Sequence, residues 1–198
     1  MWFIVRHGET LHNRRKIKQG KYNSLLTLKG IDQIKSIAYR MSGMEEDFSK
    51  YILASSPMIR TLHSMQILQE VLGITDVKVE EDILLSEVDA GDYTNKEKSE
   101  ILKEDPDFHK RKELDFWNFS CPNGETYSQA YDRFIKFVDK HRDIDENMII
   151  LTHGCGVRFL TSILSGFSKG DFQQNKHLFE IDQNYFYCWN SDREVVRR

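Results

Sequence analysis

The stretch IVRHGETLHN, residues 4–13, joins the end of an apolar run to a group of polar side chains. Residues 2–5, Trp-Phe-Ile-Val, are too few for a helix and predict a short buried β-strand. Arg6 and His7 follow the strand at once, and Gly8 allows a close backbone approach. A strand that ends in a guanidinium and an imidazole, rather than in ordinary turn residues, indicates a functional site at its carboxyl end.

Strand and helix patterns alternate along the rest of the chain. Apolar runs predict buried strands or short extended segments at 51–56, 77–85 (one or two pieces), 147–152, 184–190 and 193–198. Periodic apolar positions predict helices over about 28–42 (with Thr27 as N-cap), 57–72 (ended by Gly73), 126–142 and 153–164. This order predicts an α/β fold, a three-layer α/β/α arrangement with a mostly parallel central sheet.

The segment 96–115 has 13 charged residues in 20 positions, and Pro106 divides it. One interpretation is a pair of solvated helices. The other is a mobile cover over a site, which the same helices could form. In either case the pattern predicts a small helical cover inserted near residues 94–121.

Composition narrows the class of protein. A chain of 198 residues fits a single domain, 1–198. The net charge of −3 argues against a surface made for nucleic acid. Three widely spaced cysteines favour free thiols and indicate neither a disulfide framework nor a zinc site. Because no segment approaches the ~20 apolar residues of a membrane span, and the first apolar run is too short for a signal peptide, the sequence predicts a cytoplasmic protein with no membrane partner.

Two further residues belong to the same predicted edge of the sheet. His153 follows the strand at 147–152, and Arg60 lies near the start of the helix that follows the strand at 51–56. Ligands of such sheets bind outside the carboxyl ends of the strands. Arg6, Arg60 and His153 could therefore form a cationic cup for a dianion, because guanidinium groups match phosphate oxygens. From these residues alone, phosphate binding and ordinary structural roles both remain open.

The motifs resemble those of the histidine phosphatase superfamily, the phosphoglycerate mutase-like clan. VRHGETLHN is similar to its first signature, and five further segments follow in the family's order, between residues 19 and 158: QG with LTLKG, SSPMIRT, SEVDAGDY, PNGETY and LTHGCGVR. The chain departs from the usual pattern at Tyr93-Thr94-Asn95, at Cys155, which replaces a glycine, and at Ser64, where threonine is frequent. None of these departures removes a group that the chemistry needs.

The resemblance implies transfer through a phosphohistidine. His7 would be the nucleophile, neutral because of an ordinary pKa near ~6.5. Arg6, Arg60 and His153 would stabilise the transferring phosphoryl group, with His153 protonated beside the dianion. Glu87 would be the general acid, then the general base. Asp89 is its rival, but on a strand its alternate position would point it away. With three protein cations the resemblance implies no metal and no cofactor.

The remaining site residues are expected to bind phosphate or substrate. Asn13, Gln19 and Gly20 would reach it from the first loop, the polar segment 8–26, whereas Gly8 and Gly154 would let backbone approach the oxygens. Cys155, next to the site, would be either an inert thiol or an oxidation-sensitive one whose pKa nearby cations lower. The basic residues of the first loop either form a solvated surface or attract anionic substrates.

Only 34 residues, 88–121, separate Glu87 from Pro122. Mutases of this family carry a longer insertion there, so the sequence favours a phosphomonoesterase that hydrolyses small phosphorylated metabolites. The alternatives are phosphoglycerate mutase-type phosphoryl transfer and a non-catalytic relative that binds phosphoproteins. Both a monomer and a homodimer remain compatible with the sequence.

Overall fold

The computed structural model describes residues 1–142, 146–175, 183–190 and 195–198. These residues form one six-stranded sheet with helices on both faces, which confirms the predicted three-layer α/β/α architecture. The strands are β1 (Trp2–Arg6), β2 (Ile52–Ser55), β3 (Val79–Glu81), β4 (Met148–Thr152), β5 (Phe186–Trp189) and β6 (Val195–Arg197). The helices are α1 (Leu11–Arg14), α2 (Leu28–Ser42), α3 (Ile59–Leu72), α4 (Lys98–Glu104), α5 (Phe108–Leu114), α6 (Tyr127–His141), α7 (Gly154–Leu164) and α8 (Lys169–Asn175).

The strand order is β3-β2-β4-β1-β5-β6. The pairs β3–β2, β2–β4 and β4–β1 are parallel, whereas β5 and β6 add to the other edge in antiparallel orientation. The sheet is therefore mostly parallel, as predicted. The predicted strand at 193–198 is present as β6, although its first two residues lie outside the described part of the chain.

Alternate residues of the central strands build two separate cores. Trp2 and Ile4 of β1 pack on the side that α6 and α7 cover, whereas Phe3 and Val5 pack on the side of α2 and α3. The same alternation recurs along β4. A run that is apolar at every position is thus explained by a strand with helices on both faces.

Local end signals act as predicted. The Thr27 hydroxyl accepts a hydrogen bond from the Gly30 amide at 3.0 Å and caps α2. Gly73 ends α3 with a φ of 69°, a left-handed conformation that other residues rarely adopt. Helix α3 begins at Ile59, two residues after Pro57, and Ile59 itself is exposed rather than part of the core.

Three local features were not predicted (α1, α8 and a 3₁₀ turn), and one local prediction, strand alternation at 86–90, was wrong. The first loop contains a one-turn helix, α1, because Thr10 and Asn13 form a reciprocal capping box. Helix α8 was not predicted. The segment 77–85 yields a single short strand, after which Ile83–Leu85 form a 3₁₀ turn. Residues 86–90 are not a strand, so alternation along a strand is the wrong reason for separating Glu87 from Asp89.

The charged segment forms two short helices, α4 and α5, on either side of Pro106, as predicted. They are anchored rather than only solvated. Ile101 and Phe108 are buried, and the Phe108 ring lies 5.1 Å from that of Phe119. An isolated bridge between Ile17 and Glu97 also joins this cover to the first loop.

No helix among the described residues is both long enough and apolar enough to cross a lipid bilayer.

Candidate active site

The carboxyl ends of β1, β2 and β4 meet at one edge of the sheet. Arg6 pairs with Thr152 in the β1–β4 register, and the His7 amide donates to the Thr152 carbonyl at 3.1 Å. A cavity of about 220 Å³ lies outside this edge. Its lining includes seven of the ten predicted site residues: Arg6, His7, Asn13, Gln19, Gly20, Arg60 and Glu87. His153, Gly8 and Gly154 are not among the residues that line it.

His7 is held in the tautomer that a nucleophile requires. Its Nδ1 lies 2.7 Å from the Gly8 carbonyl oxygen. Because a carbonyl can only accept, Nδ1 carries the proton and the lone pair of Nε2 is available. Only 2% of His7 is exposed. Burial, followed by the charges of Arg60 and Arg6, lowers the pKa of His7 well below 6.5. The expectation of an ordinary pKa was therefore wrong, and the shift makes the neutral imidazole more secure.

This lowered pKa predicts the acid limb of the pH profile. Neutral His7 is the reactive form, so a depressed pKa keeps it reactive as the pH falls through 6.5. For a histidine with an unshifted pKa, the neutral fraction at pH 5.5 would be only about one tenth. We expect kcat/KM for an aryl phosphate, corrected for the separately measured ionisation of the substrate, to show no protonation midpoint near 6.5. An acid limb centred at 6.5 or above would contradict the arrangement around His7.

His153 stands behind His7 and is fully buried. The two ring centroids are 5.3 Å apart. Nδ1 of His153 accepts a hydrogen bond from Nε of Arg60 at 3.2 Å, and its Nε2 lies 2.8 Å from the Ser56 hydroxyl. Burial lowers the pKa of His153 well below 6.5, and electrostatic interactions with Arg60, His7 and Arg6 lower it further. The contacts with Arg60 and Ser56 arrange His153 as a neutral donor through Nε2, and its protonation beside a bound dianion stays a prediction.

Arg60 is the most enclosed cation of the site, with 1% of its surface exposed. Its terminal nitrogens donate to the backbone carbonyls of Tyr22 and Gly20, both at 2.9 Å. Burial lowers the pKa of Arg60 to about 10, which still leaves it charged at neutral pH. Arg60 therefore connects the first loop, His153 and the cavity in one rigid arrangement.

The first loop brings polar side chains to the cavity in fixed positions. Oδ1 of Asn13 accepts a hydrogen bond from the Thr10 amide at 3.1 Å. The Thr10 hydroxyl lies 3.1 Å from Oδ1 of Asn13 and 3.0 Å from Oε1 of Gln19, and it can donate its one proton to either oxygen. With these oxygens directed at Thr10, Asn13 and Gln19 can present amide N–H groups to an anion. Gly20 adopts a φ of 49°, and a β-carbon there would approach Ala90 to 2.9 Å.

Glu87 and Asp89 both line the cavity but differ in their partners. Burial alone would raise the pKa of Asp89, but hydrogen bonds from Lys21 and the Gly91 amide outweigh it and hold the pKa below its ordinary value. The Lys21 ammonium lies 2.7 Å from the Asp89 carboxylate. Glu87 accepts a bond from its neighbouring amide, that of Val88, and has no ion-pair partner among the described residues. The preference for Glu87 as the proton donor thus has a firmer reason than strand alternation.

Arg133 and Glu125 form a positioning pair that the sequence did not predict. Arg133 on α6 donates to both carboxylate oxygens of Glu125, at 2.6 and 2.8 Å. It also donates to the carbonyls of Leu84 and Ser86, so it holds the loop that carries Glu87. Glu125 was visible in the PNGETY motif, but nothing local in the sequence around Arg133 indicates this contact.

The structure gives Gly8 a different role from the predicted one. Its amide donates to the Ser64 hydroxyl at 3.2 Å, and a β-carbon would lie 2.2 Å from the Gly30 carbonyl oxygen. Gly8 is therefore required by the close approach of α2 rather than by phosphate oxygens. Gly154 is buried at the first position of α7, directly after His153.

Cys155 lines the cavity, but it is a poor nucleophile there. Burial, together with the charge of Glu87, raises the pKa of its thiol to about 12. This result favours the inert interpretation and contradicts a pKa lowered by cations. Among the described residues, no group of three or more His, Cys, Asp or Glu side chains is arranged to hold a metal ion.

Fold and site together define an α/β protein with a histidine and two arginines around an anion-sized cavity. The family model of the histidine phosphatase superfamily (branch 1) matches residues 2–191. The chain therefore belongs to the histidine phosphatase superfamily.

Individual relatives include both mutases and phosphatases. A chain named a probable phosphoglycerate mutase, from Erwinia tasmaniensis, is 28% identical over 166 residues, which cover 83% of this chain and 74% of the relative. A 2,3-bisphosphoglycerate-dependent phosphoglycerate mutase from Nitrobacter hamburgensis is 27% identical over 203 aligned residues, covering 98% of this chain and 94% of the relative. The crystal structure of the alpha-ribazole phosphatase from Shigella flexneri superposes with a TM-score of 0.80 at 22% identity, covering 100% of this chain and 94% of that one.

Proposed function

We propose that this protein is a metal-independent phosphomonoesterase that acts on small phosphorylated metabolites through a phosphohistidine at His7. The observation that supports this most is the orientation of His7, whose Nδ1 is tied to the Gly8 carbonyl so that Nε2 is the reactive atom. Arg6, Arg60 and Glu87 line the same cavity. A nucleophile, fixed cations and a carboxyl group are thus available to one phosphoryl group.

In the first step, Nε2 of His7 attacks phosphorus in line, and the bond between phosphorus and the alcohol oxygen breaks. The electron pair leaves with that oxygen, which takes a proton from the Glu87 carboxyl group. Arg6 and Arg60 stabilise the negative charge on the equatorial phosphoryl oxygens, and His153 supports them through its contacts with Arg60.

In the second step, the Glu87 carboxylate takes a proton from water while the water oxygen attacks phosphorus. The bond between phosphorus and Nε2 breaks, inorganic phosphate leaves and neutral His7 returns. Glu87 ends the cycle protonated, as it began. The mechanism needs no group beyond the side chains that line the cavity and water.

The test is phosphate release from a series of aryl and alkyl phosphates in excess EDTA, comparing the wild-type protein with Glu87→Gln. A poor leaving group needs the proton from Glu87, whereas a nitrophenolate does not. Because Glu87 also assists the second step, which all substrates share, the leaving-group effect is read from kcat/KM, which reports phosphoryl transfer to His7. We expect Glu87→Gln to lower kcat/KM for the alkyl phosphates by ~10²–10⁴-fold and for the nitrophenyl ester far less.

Asp89→Asn is the matched control, because Asp89 is a carboxylate of the same cavity that is already paired with Lys21. It should keep the wild-type dependence on the leaving group. If Asp89→Asn rather than Glu87→Gln changes that dependence, the two roles must be exchanged. If turnover of the wild-type protein disappears in EDTA, the proposal of metal-independent hydrolysis fails.

Mutase activity is the second candidate, because two relatives are named as phosphoglycerate mutases. The cover between Glu87 and Pro122 contains only two helices of seven residues each, which leaves water able to compete with a second acceptor. Conversion of 3-phosphoglycerate to 2-phosphoglycerate without phosphate release would establish the mutase instead. A purely phosphoprotein-binding role is less well supported, since His7, Arg6, Arg60, Glu87 and His153 are all present.

A further inference from the structure

A second cavity of about 310 Å³ adjoins the catalytic one. It lies between the first loop and the cover helices α4 and α5, and we call it the basic groove. Its charged or titratable lining residues are all basic: Lys16, Lys18, Lys98, His109 and Lys112. Its apolar lining residues are Ile17, Ile101, Leu102 and Phe108. The groove therefore combines cations with an apolar wall.

The basic groove is continuous with the catalytic cavity, because Asn13, Ile17 and Lys18 line both. The catalytic cavity alone, at about 220 Å³, is smaller than typical small-molecule sites, which span ~300–1,000 Å³. With the groove added, the site reaches that range. A phosphoryl group at His7 can thus have its alcohol portion extend into the groove.

The lysines of the groove are not neutralised by the many acids of the cover. Lys16, Lys18, Lys98 and Lys112 form no ion pair within the described ranges of the chain. The acids pair elsewhere, since Glu104 binds Lys96 and Asp105 binds Arg111.

The two acids nearest the start of α4, Glu97 and Glu100, do not line the groove. The Glu100 carboxylate accepts the Glu97 amide at 2.8 Å, and Glu97 accepts from the Ser99 hydroxyl. These two carboxylates thus serve the start of α4. Lys18 lies 5.5 Å from the centroid of the Phe108 ring, and Lys112 contacts Tyr127. The ammonium groups of Lys16 and Lys98 are available to water or to a ligand.

Backbone hydrogen bonds fix the first loop and the cover, the two walls of the groove, relative to each other. The Lys18 amide donates to the Lys96 carbonyl at 2.9 Å, and the Lys98 amide donates to the Lys16 carbonyl at 3.1 Å. Lys16 and Asn95 adopt positive φ values of 57° and 66°, which cost energy in residues other than glycine. This strained bridge fixes the first loop against the cover at the boundary between the two cavities.

Lys112 lines the groove and contacts a residue of the catalytic cavity. Its Nζ donates to the Tyr127 hydroxyl at 2.6 Å and lies 4.4 Å from the centroid of that ring. Tyr127 lines the catalytic cavity. A ligand that spans both cavities would therefore contact one hydrogen-bonded unit.

We propose that the basic groove binds a distal anionic group of the substrate, so that the preferred substrates are extended phosphomonoesters whose alcohol carries an apolar portion and, beyond it, a carboxylate or a second phosphate. This inference rests on the proposed function, because it assigns the phosphoryl end to His7. It differs from that function in specifying the leaving alcohol.

The test compares 4-(ω-carboxyalkyl)phenyl phosphates with their methyl esters, using arms of two, four and six methylene groups so that reach does not limit binding. Acid and ester have nearly the same phenol leaving group and differ in the distal charge. For the arm that fits best, we expect kcat/KM of the wild-type protein to favour the acid by about tenfold or more, an advantage that falls at high salt.

Lys98→Met should remove most of this preference, measured as the ratio of kcat/KM for the acid to kcat/KM for the ester, and Lys98→Arg should restore it. Lys98 is exposed and does not line the catalytic cavity, so the fold should tolerate the change. Lys103→Met is the matched control, because Lys103 lies on the same helix, is exposed and does not line the groove. It should keep the wild-type preference.

Equal kcat/KM for acid and ester at every arm length, or equal losses in Lys98→Met and Lys103→Met, would overturn the inference. If the wild-type protein hydrolyses neither compound, the proposed function fails and the groove is tested by itself. Calorimetric binding of the corresponding benzylphosphonates, acid against ester, then replaces turnover. A preference for the acid that Lys98→Met removes would support the groove, and equal affinities would refute it.

Discussion

Replacing His7 with alanine is expected to lower kcat for phosphate release by at least ~10³-fold, because the variant lacks the atom that forms the covalent intermediate. The structure predicts that Nε2 is this atom, since Nδ1 is bound to the Gly8 carbonyl. The measurement is phosphate release from an aryl phosphate in excess EDTA. Acid-labile, base-stable phosphorylation, followed by mass spectrometry of rapidly quenched samples, should be present in the wild-type protein and absent from the variant.

His63→Ala is the control for His7→Ala. His63 lies on α3 and does not line the catalytic cavity, so its removal should leave turnover near the wild-type rate. Thermal unfolding of both variants checks that the fold is intact. Substantial turnover by a folded His7→Ala protein would show that another group, or water, attacks phosphorus, and the proposed covalent mechanism would then fail.

Replacing Arg60 with methionine should reduce both stability and turnover. The change leaves the buried carbonyl of Gly20, the partly buried carbonyl of Tyr22 and the buried Nδ1 of His153 without their donor. An unsatisfied buried polar group costs ~1–3 kcal/mol, so we expect the free energy of unfolding to fall by about 2–4 kcal/mol. Turnover should fall ~10²–10³-fold, the usual effect of removing a donor that stabilises developing negative charge. Urea unfolding and kinetics at low temperature measure the two effects separately.

The pKa values of His7 and His153 show whether Arg60 also acts through its charge. Its charge is among the causes that lower the pKa of His7 and of His153. In Arg60→Met both pKa values should therefore rise toward 6.5, which NMR titration of the imidazole resonances can follow. Arg142→Met, at an exposed arginine, should change neither stability nor these pKa values by a measurable amount. Unchanged histidine pKa values in a folded Arg60→Met protein would assign Arg60 a structural role only.

The fold was largely predictable because its signals are local. A short strand buried on both faces, such as residues 148–151, is apolar at every position. Thr27 and Gly73 mark helix ends through hydrogen bonds and backbone conformations that involve only their neighbours. Helix α8 and the 3₁₀ turn at Ile83–Leu85 were missed, since short elements depend more on what they pack against than on their own periodicity.

The residues of the site could be predicted from the sequence, but the pKa values of its histidines could not. Ordered motifs placed His7, Arg60, Glu87 and His153 in one family pattern, and the structure brings all four to one edge of the sheet. Their pKa values could not be obtained in that way. Desolvation and the distance between charges depend on how separate segments fold together, so the lowered pKa values of His7 and His153 could not be predicted, and the ordinary pKa expected for His7 was wrong.

The α/β architecture could be predicted from the sequence alone, and so could the location of the site at the carboxyl ends of the strands and the residue types around it. Periodicity, helix-end signals and motifs are all properties of the chain itself. Only the tertiary structure decided that Gly8 serves packing against Gly30, that Arg133 holds the loop of Glu87, and that the lysines of the first loop and cover face one groove. Those contacts join residues far apart in sequence, and their geometry exists only after the layers have packed.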